Sequence, residues 1–400
     1  SIGFFLRRTD VKCGMKKIVI AIDSFKGCLS SVEAGEAAAE GVRAACPIAE
    51  VMVLPVADGG EGMQDVLIAA TDGQRIAVRA HSPLMEMREA SYGISADGQT
   101  AFIEMASISG LPLVPEDRRN PMQTTTFGTG ELIKDALDRG CRKFIVGIGG
   151  SATNDAGLGM LQALGFRFYD RDGRDIGEGM ALCGGLLSEV YRIDDSSAHP
   201  ALDDSLFTVA CDVRNPFCGP EGAAFAFAPQ KGADEEMVAR LDDSMQHLAA
   251  VIHRHTGQDI VHVSGAGAAG GMGGGLLAFL GAVLKPGIEL LLDALHFSEK
   301  IREADLILTG EGKADRQTLM GKVPAGVLAE AMKQEIPVVL LAGSIEDAVA
   351  LNRAGFLGLF PITPSPVSLR EAMNPAYARD NLRRTAEQVC RLYAFASARS

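Results

Sequence analysis

Both ends of the chain alternate short apolar runs with polar or glycine-rich turns and helical stretches. Residues 17–22 and 51–54 are apolar and rich in β-branched side chains, which is typical of strands buried on both faces. Residues 305–308, 337–341 and 356–360 repeat the pattern towards the C-terminus. Strands that alternate with helices form parallel sheets, so both ends together predict one α/β domain with a parallel sheet.

The middle of the chain has a different pattern. Residues 75–80, 89–94 and 100–104 are typical of antiparallel strands, and Asp97-Gly98 predicts a hairpin turn. We therefore expect a second, mixed α/β domain at 79–285, inserted into a discontinuous domain of 15–78 and 286–400. Residues 1–14 precede Met15 and are interpreted as a tag or an upstream remnant, which we leave out of the fold prediction.

Composition narrows the function classes. The 38 Lys and Arg against 51 Asp and Glu give a net charge of −13, which disfavours nucleic acid and anionic membranes as partners. The eight cysteines include no CxxC pair, so a zinc site is disfavoured. With no signal peptide recognised, we expect reduced thiols and a cytoplasmic protein. The sequence leaves a homodimer open.

Five segments with acidic or glycine-rich character follow predicted strands or turns. A single Asp after a strand most often caps a helix, whereas five such segments favour a functional site. Ligands of open α/β sheets bind at the carboxyl ends of the strands, so we expect these segments to meet in a cleft between the domains. The segments are 23–27, 57–62, 149–155, 211–215 and 309–315.

Several residues in these segments have two readings. Lys26 is either an anchor for phosphate or carboxylate or a solvated lysine. Asp58 and Glu61 pair a base with a metal ligand, or they form an acidic helix start. Asn154 and Asp155 bind a hydroxyl or Mg²⁺, or they cap a helix. The backbone of Gly149-Gly150-Ser151 has the free N–H groups that bind phosphate.

Two later segments also favour phosphate chemistry. The glycines of 265–275 predict a nucleotide or phosphate loop rather than a flexible linker, because the segment lacks solvating residues. Glu311 and Asp315 have oxygen donors for Mg²⁺, and Lys313 can neutralise a phosphoryl group. The chain has seven His and shows no Ser-His-Asp pattern, HExxH, Walker A or dinucleotide GxGxxG motif. This set of residues suits phosphoryl transfer.

The motifs occur together and in order from Met15 to the C-terminus. They are DSFKG at 23–27, ADGGEG at 57–62, TTTFGTGEL at 124–132, GGSATND at 149–155, CDV at 211–213, the glycines of 265–275, and TGEG at 309–312 with Asp315 and QTL at 317–319. In these motifs the chain closely resembles the type I glycerate kinases, a bacterial family that phosphorylates D-glycerate with ATP. Cys28, Met63 and Ala156 depart from the residues usual in that family.

The resemblance implies a two-domain α/β kinase with a Rossmann-like or flavodoxin-like domain and an inserted domain. It implies Mg-ATP as the donor and 2-phosphoglycerate or 3-phosphoglycerate as the product, with the 2-position favoured by the family. Either Asp58 or Asp212 would accept the hydroxyl proton, and Lys26 with Arg214 would anchor the carboxylate or the transferred phosphate.

The full set of predicted site residues follows from these motifs. The catalytic residues are Asp58, Asp212 and Lys26; the substrate-binding residues are Asp23, Ser24, Lys26, Asn154 and Arg214; the cofactor-binding residues are Gly149, Gly150, Ser151, Gly267, Gly270, Gly271 and Gly310; the metal ligands are Asp155, Glu311 and Asp315.

Two other classes remain as alternatives. An NAD-dependent hydroxy-acid oxidoreductase would need a ribose-binding acid and a catalytic His, neither of which is recognisable. A non-catalytic sugar-acid-binding protein would bind glycerate without releasing ADP.

Overall fold

The fold is taken from a computed structural model, which describes residues 14–58 and 62–397. Gly59, Gly60 and Glu61 of the second motif lie outside the described residues, and so do residues 1–13 of the predicted tag or remnant.

The strands in the described residues follow the predicted order. They are β1 (Lys17–Ile22), β2 (Glu50–Val53), β3 (Gln74–His81), β4 (Met87–Ile94), β5 (Thr100–Glu104), β6 (Lys143–Gly147), β7 (Arg167–Tyr169), β8 (Arg192–Asp194), β9 (Leu206–Ala210), β10 (Val283–Lys285), β11 (Leu306–Ala314), β12 (Val338–Ile345) and β13 (Gly358–Pro361).

The helices lie between these strands. They are α1 (Ser31–Ala45), α2 (Met63–Ala70), α3 (Ala106–Ser109), α4 (Phe127–Asp138), α5 (Leu158–Ala163), α6 (Ala223–Phe227), α7 (Glu235–Thr256), α8 (Met272–Leu280), α9 (Gly287–Ala294), α10 (Phe297–Lys300), α11 (Val323–Met332), α12 (Ala348–Ala354), α13 (Leu369–Ala372) and α14 (Pro375–Ser397).

Two compact units divide the chain, one of Ser1–Asp58 with Leu291–Ser400 and one of Gly59–Leu290. Both units combine α-helices with β-sheets, so the α/β fold class is confirmed. Compactness does not show that either part folds alone, so the division into a discontinuous domain and an inserted domain at 79–285 stays a prediction.

The first unit contains a five-stranded sheet in the order β13-β12-β11-β1-β2, and all its pairs are parallel. Ile18, Ile20 and Ile22 of β1 alternate along the strand and pack in one core with α1 and α14. The predicted capping box at the start of α1 is confirmed, since Ser30 Oγ accepts from the Glu33 N–H and the Glu33 carboxylate accepts from the Ser30 N–H.

The second unit contains a six-stranded mixed sheet in the order β10-β9-β6-β5-β4-β3. The predicted antiparallel strands are confirmed as β3, β4 and β5, and the remaining pairs of this sheet are parallel. Its core includes the stacked rings of Phe144 and Phe207, whose centroids lie 4.6 Å apart. The short strands β7 and β8 form a separate antiparallel pair.

Two predicted element limits are wrong. The helix expected to begin after Gly130 begins at Phe127, because the backbone N–H and the hydroxyl of Thr126 both donate to Asp155 and fix the first turn. The strand expected to end at 308 continues to Ala314, because β12 pairs with it as far as Ile345. Gly310 and Glu311 therefore lie in a strand and not in a loop.

The expectation that all cysteines are reduced is also wrong, because Cys46 is disulfide-bonded. The free cysteines among the described residues are Cys28, Cys141, Cys183, Cys211, Cys218 and Cys390. Within residues 14–58 and 62–397, no helix is both long enough and apolar enough to span a membrane.

Candidate active site

The parallel sheet of the first unit changes its direction of progression between β1 and β11. From β1 the chain moves outward to β2, and from β11 it moves the other way through β12 to β13. The carboxyl ends of strands at such a switch point are the preferred ligand site of open α/β sheets. Asp23 follows β1 directly, and its backbone N–H donates to Gly310 O of β11 at 2.9 Å. Glu311 is the next residue of β11.

A cavity of about 690 Å³ opens at this switch point, entirely within the first unit. Its walls combine carboxylates, lysines, hydroxyls and apolar side chains. The lining residues are Asp23, Ser24, Phe25, Lys26, Cys28, Asp58, Glu311, Gly312, Lys313, Lys322, Gly343, Ser344, Ile362, Thr363, Ser365, Pro366, Val367, Leu369, Ala372, Met373 and Asn381. Of the predicted site residues, the structure brings together Asp23, Ser24, Lys26, Asp58 and Glu311 here.

Asp23 is the carboxylate most perturbed by its neighbours in this cavity. Burial raises the pKa of Asp23 to about 7, and the charges of Asp58 and Glu311 add to that increase. The Ser24 N–H, which donates to Asp23 Oδ1 at 2.7 Å, and the charge of Lys26 act in the opposite direction. The carboxylates are therefore close enough to repel each other, and a cation among them would relieve this repulsion.

Glu311 is held in place by a second set of contacts. The hydroxyl of Thr318 donates to Glu311 Oε1 at 2.5 Å, and Lys322 Nζ lies 3.8 Å from Glu311 Oε2. Burial raises the pKa of Glu311, while the Thr318 hydrogen bond and the Lys322 charge oppose the increase. Asp315, a predicted metal ligand, caps the turn after β11 by accepting from the Gln317 N–H, and its own N–H donates to Thr318.

Lys322 and Lys313 are site residues that were not among the predicted set. Lys322 is the N-cap of α11, where the helix dipole disfavours a cation, so a lysine just before a predicted helix was a usable signal in the sequence. Lys313 is paired with Glu346, with Nζ and Oε1 3.1 Å apart. Together with Lys26 they give the cavity positive charge beside its carboxylates.

Asp155 lies in the second unit and is fully buried. Its carboxylate accepts four hydrogen bonds, from the Thr126 N–H and hydroxyl and from the N–H groups of Gly157 and Gly159. Burial raises the pKa of Asp155, and these hydrogen bonds oppose the increase. Four donors occupy the lone pairs of one carboxylate, so the structure favours a structural role over the predicted metal role.

The loop before Asp155 surrounds a buried lysine. Lys231 Nζ donates to Ser151 Oγ at 2.7 Å and to Thr153 O at 2.6 Å. Asn154 is buried and its side-chain N–H faces the sulfur of Met245 at 3.2 Å, which fits a packing role better than the predicted contact with substrate. Gly149 and Gly150 are exposed, but α5 begins only at Leu158, so the expected helix directly after them is wrong.

The predicted phosphate-binding glycines are packed against backbone. A Cβ on Gly267 would lie 2.0... 2.1 Å from Pro216 O, and one on Gly270 would lie 2.0 Å from Thr153 O.

 A Cβ on Gly271 would lie 2.6 Å from the methyl carbon of Met245. All three glycines are buried, and Gly270 and Gly271 have positive φ. The segment is neither a flexible linker nor an open phosphate loop, because its glycines allow close packing of backbone on backbone. Gly310 is explained in the same way, since its Cβ would lie 2.1 Å from Leu341 O.

Asp212 and Arg214 are exposed residues of the second unit. Asp212 Oδ1 accepts from the N–H of Gly287 at the start of α9, at 2.9 Å. This contact gives Asp212 a helix-start role, and its predicted role as a base stays a prediction, as does that of Arg214 as an anchor.

The carboxylates of the cavity were tested as metal ligands. Among residues 14–58 and 62–397, no group of three or more His, Cys, Asp and Glu is arranged to hold a metal ion. Mg²⁺ in kinases is bound by one or two carboxylates together with substrate phosphates, so a complete protein cage is not required. Asp23, Asp58 and Glu311, which repel each other across the cavity, fit this kind of shared site.

Comparison with known proteins agrees with this site. Residues 18–394 match the model of the glycerate kinase family. The chain is 48% identical over 374 residues to the glycerate 2-kinase of Escherichia coli K12, covering 93% of this chain and 97% of that protein. It is 47% identical over 374 residues to the glycerate kinase of Bacillus subtilis 168, covering 93% of this chain and 96% of that protein.

A solved structure shows the same fold. The crystal structure described as glycerate kinase 2 from Salmonella typhimurium LT2 has a TM-score of 0.87 and 44% sequence identity to this chain. The match covers 96% of this chain and all of that one, 100%. Sequence and fold agree over nearly the whole length, and the chain belongs to the glycerate kinase family.

Proposed function

We propose that the chain transfers the γ-phosphoryl group of ATP to the 2-hydroxyl of D-glycerate, giving 2-phosphoglycerate, and that Mg²⁺ accompanies the nucleotide. Membership of the glycerate kinase family makes the chain a kinase. The 2-position is favoured because the relative from Escherichia coli K12 is named a glycerate 2-kinase. The family match also favours a kinase over the two alternatives, the oxidoreductase and the non-catalytic binding protein.

One observation supports the proposal most strongly: carboxylates and lysines share a cavity at the switch point of the parallel sheet. Phosphoryl transfer depends on positioning and on neutralising the charge of the transferred group, and it needs little covalent chemistry from the protein. Lys26 and Lys322 line the cavity and provide positive charge for the phosphoryl group and for the glycerate carboxylate.

The carboxylates of the cavity have two tasks in this proposal. One of them accepts the proton of the attacking hydroxyl, and Asp58 keeps this predicted role, with Asp23 as a second candidate in the same cavity. The others supply oxygen ligands for Mg²⁺, which would neutralise phosphate charge when bound. Glu311 is held for this task by Thr318, whose hydroxyl donates to Oε1.

The test measures ADP formation that depends on D-glycerate, together with phosphorus NMR of the product. We expect ADP release with D-glycerate and the spectrum of 2-phosphoglycerate. Lys322→Met should lower kcat by about 100-fold, because it removes a positive charge next to the reacting phosphoryl group.

The matched control is Lys333→Met. Lys333 lies just after α11 and is exposed on the surface, paired with Glu330. This variant should keep wild-type kcat. Absence of glycerate-dependent ADP release would overturn the proposed function, and equal activity of both variants would remove Lys322 from the site.

A further inference from the structure

One end of the active-site cavity is apolar and exposed, in contrast to its charged floor. Val367, Leu369 and Met373 line the cavity, and their side chains are 36%, 76% and 39% exposed. Large apolar side chains that stay exposed in one place are typical of binding sites. We refer to the cavity-lining residues Ile362, Val367, Leu369, Ala372 and Met373 as the apolar wall.

The apolar wall is held in shape by its own local structure. Ser368 caps α13 with a capping box: its Oγ accepts from the Glu371 N–H, and the Glu371 carboxylate accepts from the Ser368 N–H. Leu369, Ala372 and Met373 have the spacing i, i+3, i+4, which places them on the same side of the turn. Their side chains are therefore presented together without a ligand to order them.

The size of the cavity exceeds what a three-carbon acid needs. Its 690 Å³ lies within the range of about 300–1,000 Å³ that is usual for larger organic ligands. A small hydroxy acid is covered with polar groups, so it gains little from an apolar surface. The second substrate of a kinase, by contrast, has a flat base at one end and a charged phosphate chain at the other.

We propose that the apolar wall is the nucleobase subsite of this cavity, with the phosphate chain of the nucleoside triphosphate directed to Lys26 and Lys322. This inference rests on the proposed function. Aliphatic side chains bury the faces of a purine, and the thioether of Met373 makes favourable contacts with an aromatic ring. The charged and the apolar ends of the cavity thus correspond to the two ends of the ligand.

The experiment compares ATP with tripolyphosphate, which has the phosphate chain but no base, both in the presence of Mg²⁺. Leu369→Ser combined with Met373→Ser removes most of the apolar contact at exposed positions, so the fold should be preserved. We expect the KM for ATP to rise about tenfold. The inhibition constant of tripolyphosphate and the KM for D-glycerate should stay at their wild-type values.

Leu392→Ser is the matched control, because Leu392 is 66% exposed on α14 and does not line the cavity. It should leave the KM for ATP unchanged. An unchanged KM in the double variant, or an equal loss of tripolyphosphate binding, would overturn the nucleobase subsite. Equilibrium dialysis of ATP without glycerate gives a separate readout, so failure of glycerate phosphorylation alone would count only against the proposed function.

Discussion

Lys231 is an unusual residue because it is a lysine with 2% exposure. Its ammonium group donates to Ser151 and to the backbone of Thr153. Burial lowers the pKa of Lys231 to about 7, although the charge of Asp155 opposes the decrease. The loop that carries the GGSATND motif is therefore held by a group that titrates near neutral pH.

A pH dependence of stability follows from this pKa. Between pH 7 and pH 9 the lysine is mostly neutral in the folded chain and protonated in the unfolded chain, so unfolding takes up a proton and folding is favoured as the pH rises. The free energy of unfolding should increase by about 2 kcal/mol over this range relative to Lys231→Met. Urea titrations at a series of pH values measure the difference.

Lys134→Met serves as the control, because Lys134 is an exposed lysine paired with Asp138 on α4. Its effect on stability should be the same at pH 7 and at pH 9. A pH-independent difference between the wild type and Lys231→Met would show that Lys231 stays charged in the folded protein.

Individual site residues differ in how far the sequence could predict them. Asp23, Asp58 and Glu311 were predicted because each follows or belongs to a recognisable strand, and the carboxyl ends of parallel strands meet at one edge. Lys231 could not be found in this way, since its burial arises from packing between distant segments. The proposed structural role of Asp155 likewise depends on donors far away in sequence, such as Thr126.

At the scale of elements, the glycine-dense segment before and within α8 is explained by packing. Gly275→Ala should destabilise the fold by about 3 kcal/mol, because its Cβ would lie 2.3 Å from Ala156 O, a backbone atom that cannot move freely. Thermal and urea unfolding measure this loss.

Gly149→Ala is the paired control at an exposed glycine of the GGSATND motif. No atom lies within 4 Å of the Cβ position, so stability should change by less than about 0.5 kcal/mol. Equal stability of the two variants would contradict the packing interpretation. The cofactor-binding role of Gly149, Gly150 and Ser151 stays a prediction, and the KM for ATP of Gly149→Ala tests it.

Element limits could be predicted where the signal is local and not where it is tertiary. The Ser30 capping box and the Asp97-Gly98 turn depend on residues next to each other, and both are found as expected. The extension of β11 through Glu311 depends on its pairing with β12, which a strand pattern read one segment at a time does not include. The same reason explains the early start of α4 at Phe127.

At the scale of the whole molecule, the two compact units allow a test of where nucleotide binds. The chain contains no Trp, so a single introduced Trp reports on its own surroundings. Tyr377→Trp places the probe in the first unit and Tyr191→Trp places it in the second. If ATP binds the first unit, MgATP at about 100 times its Kd should stabilise that unit by about 2.7 kcal/mol.

Urea unfolding followed by Trp fluorescence is the measurement. We expect the midpoint to shift more for Tyr377→Trp than for Tyr191→Trp. Equal shifts would mean that the units unfold as one, and a larger shift for Tyr191→Trp would contradict a nucleotide site in the first unit. The interdomain cleft expected from the sequence stays a prediction.

The pairing of β1 with β11 has a consequence for biosynthesis. Lys17 and its partner Asp305 are separated by 288 residues, so β1 leaves the ribosome long before the strand that completes its sheet. At about 5–20 residues per second, this delay is on the order of 15–60 s. During that time β1 has an unsatisfied edge that can attract other nascent chains. Chaperone dependence in the cell should therefore be concentrated on the N-terminal segment, while the second unit is already able to collapse.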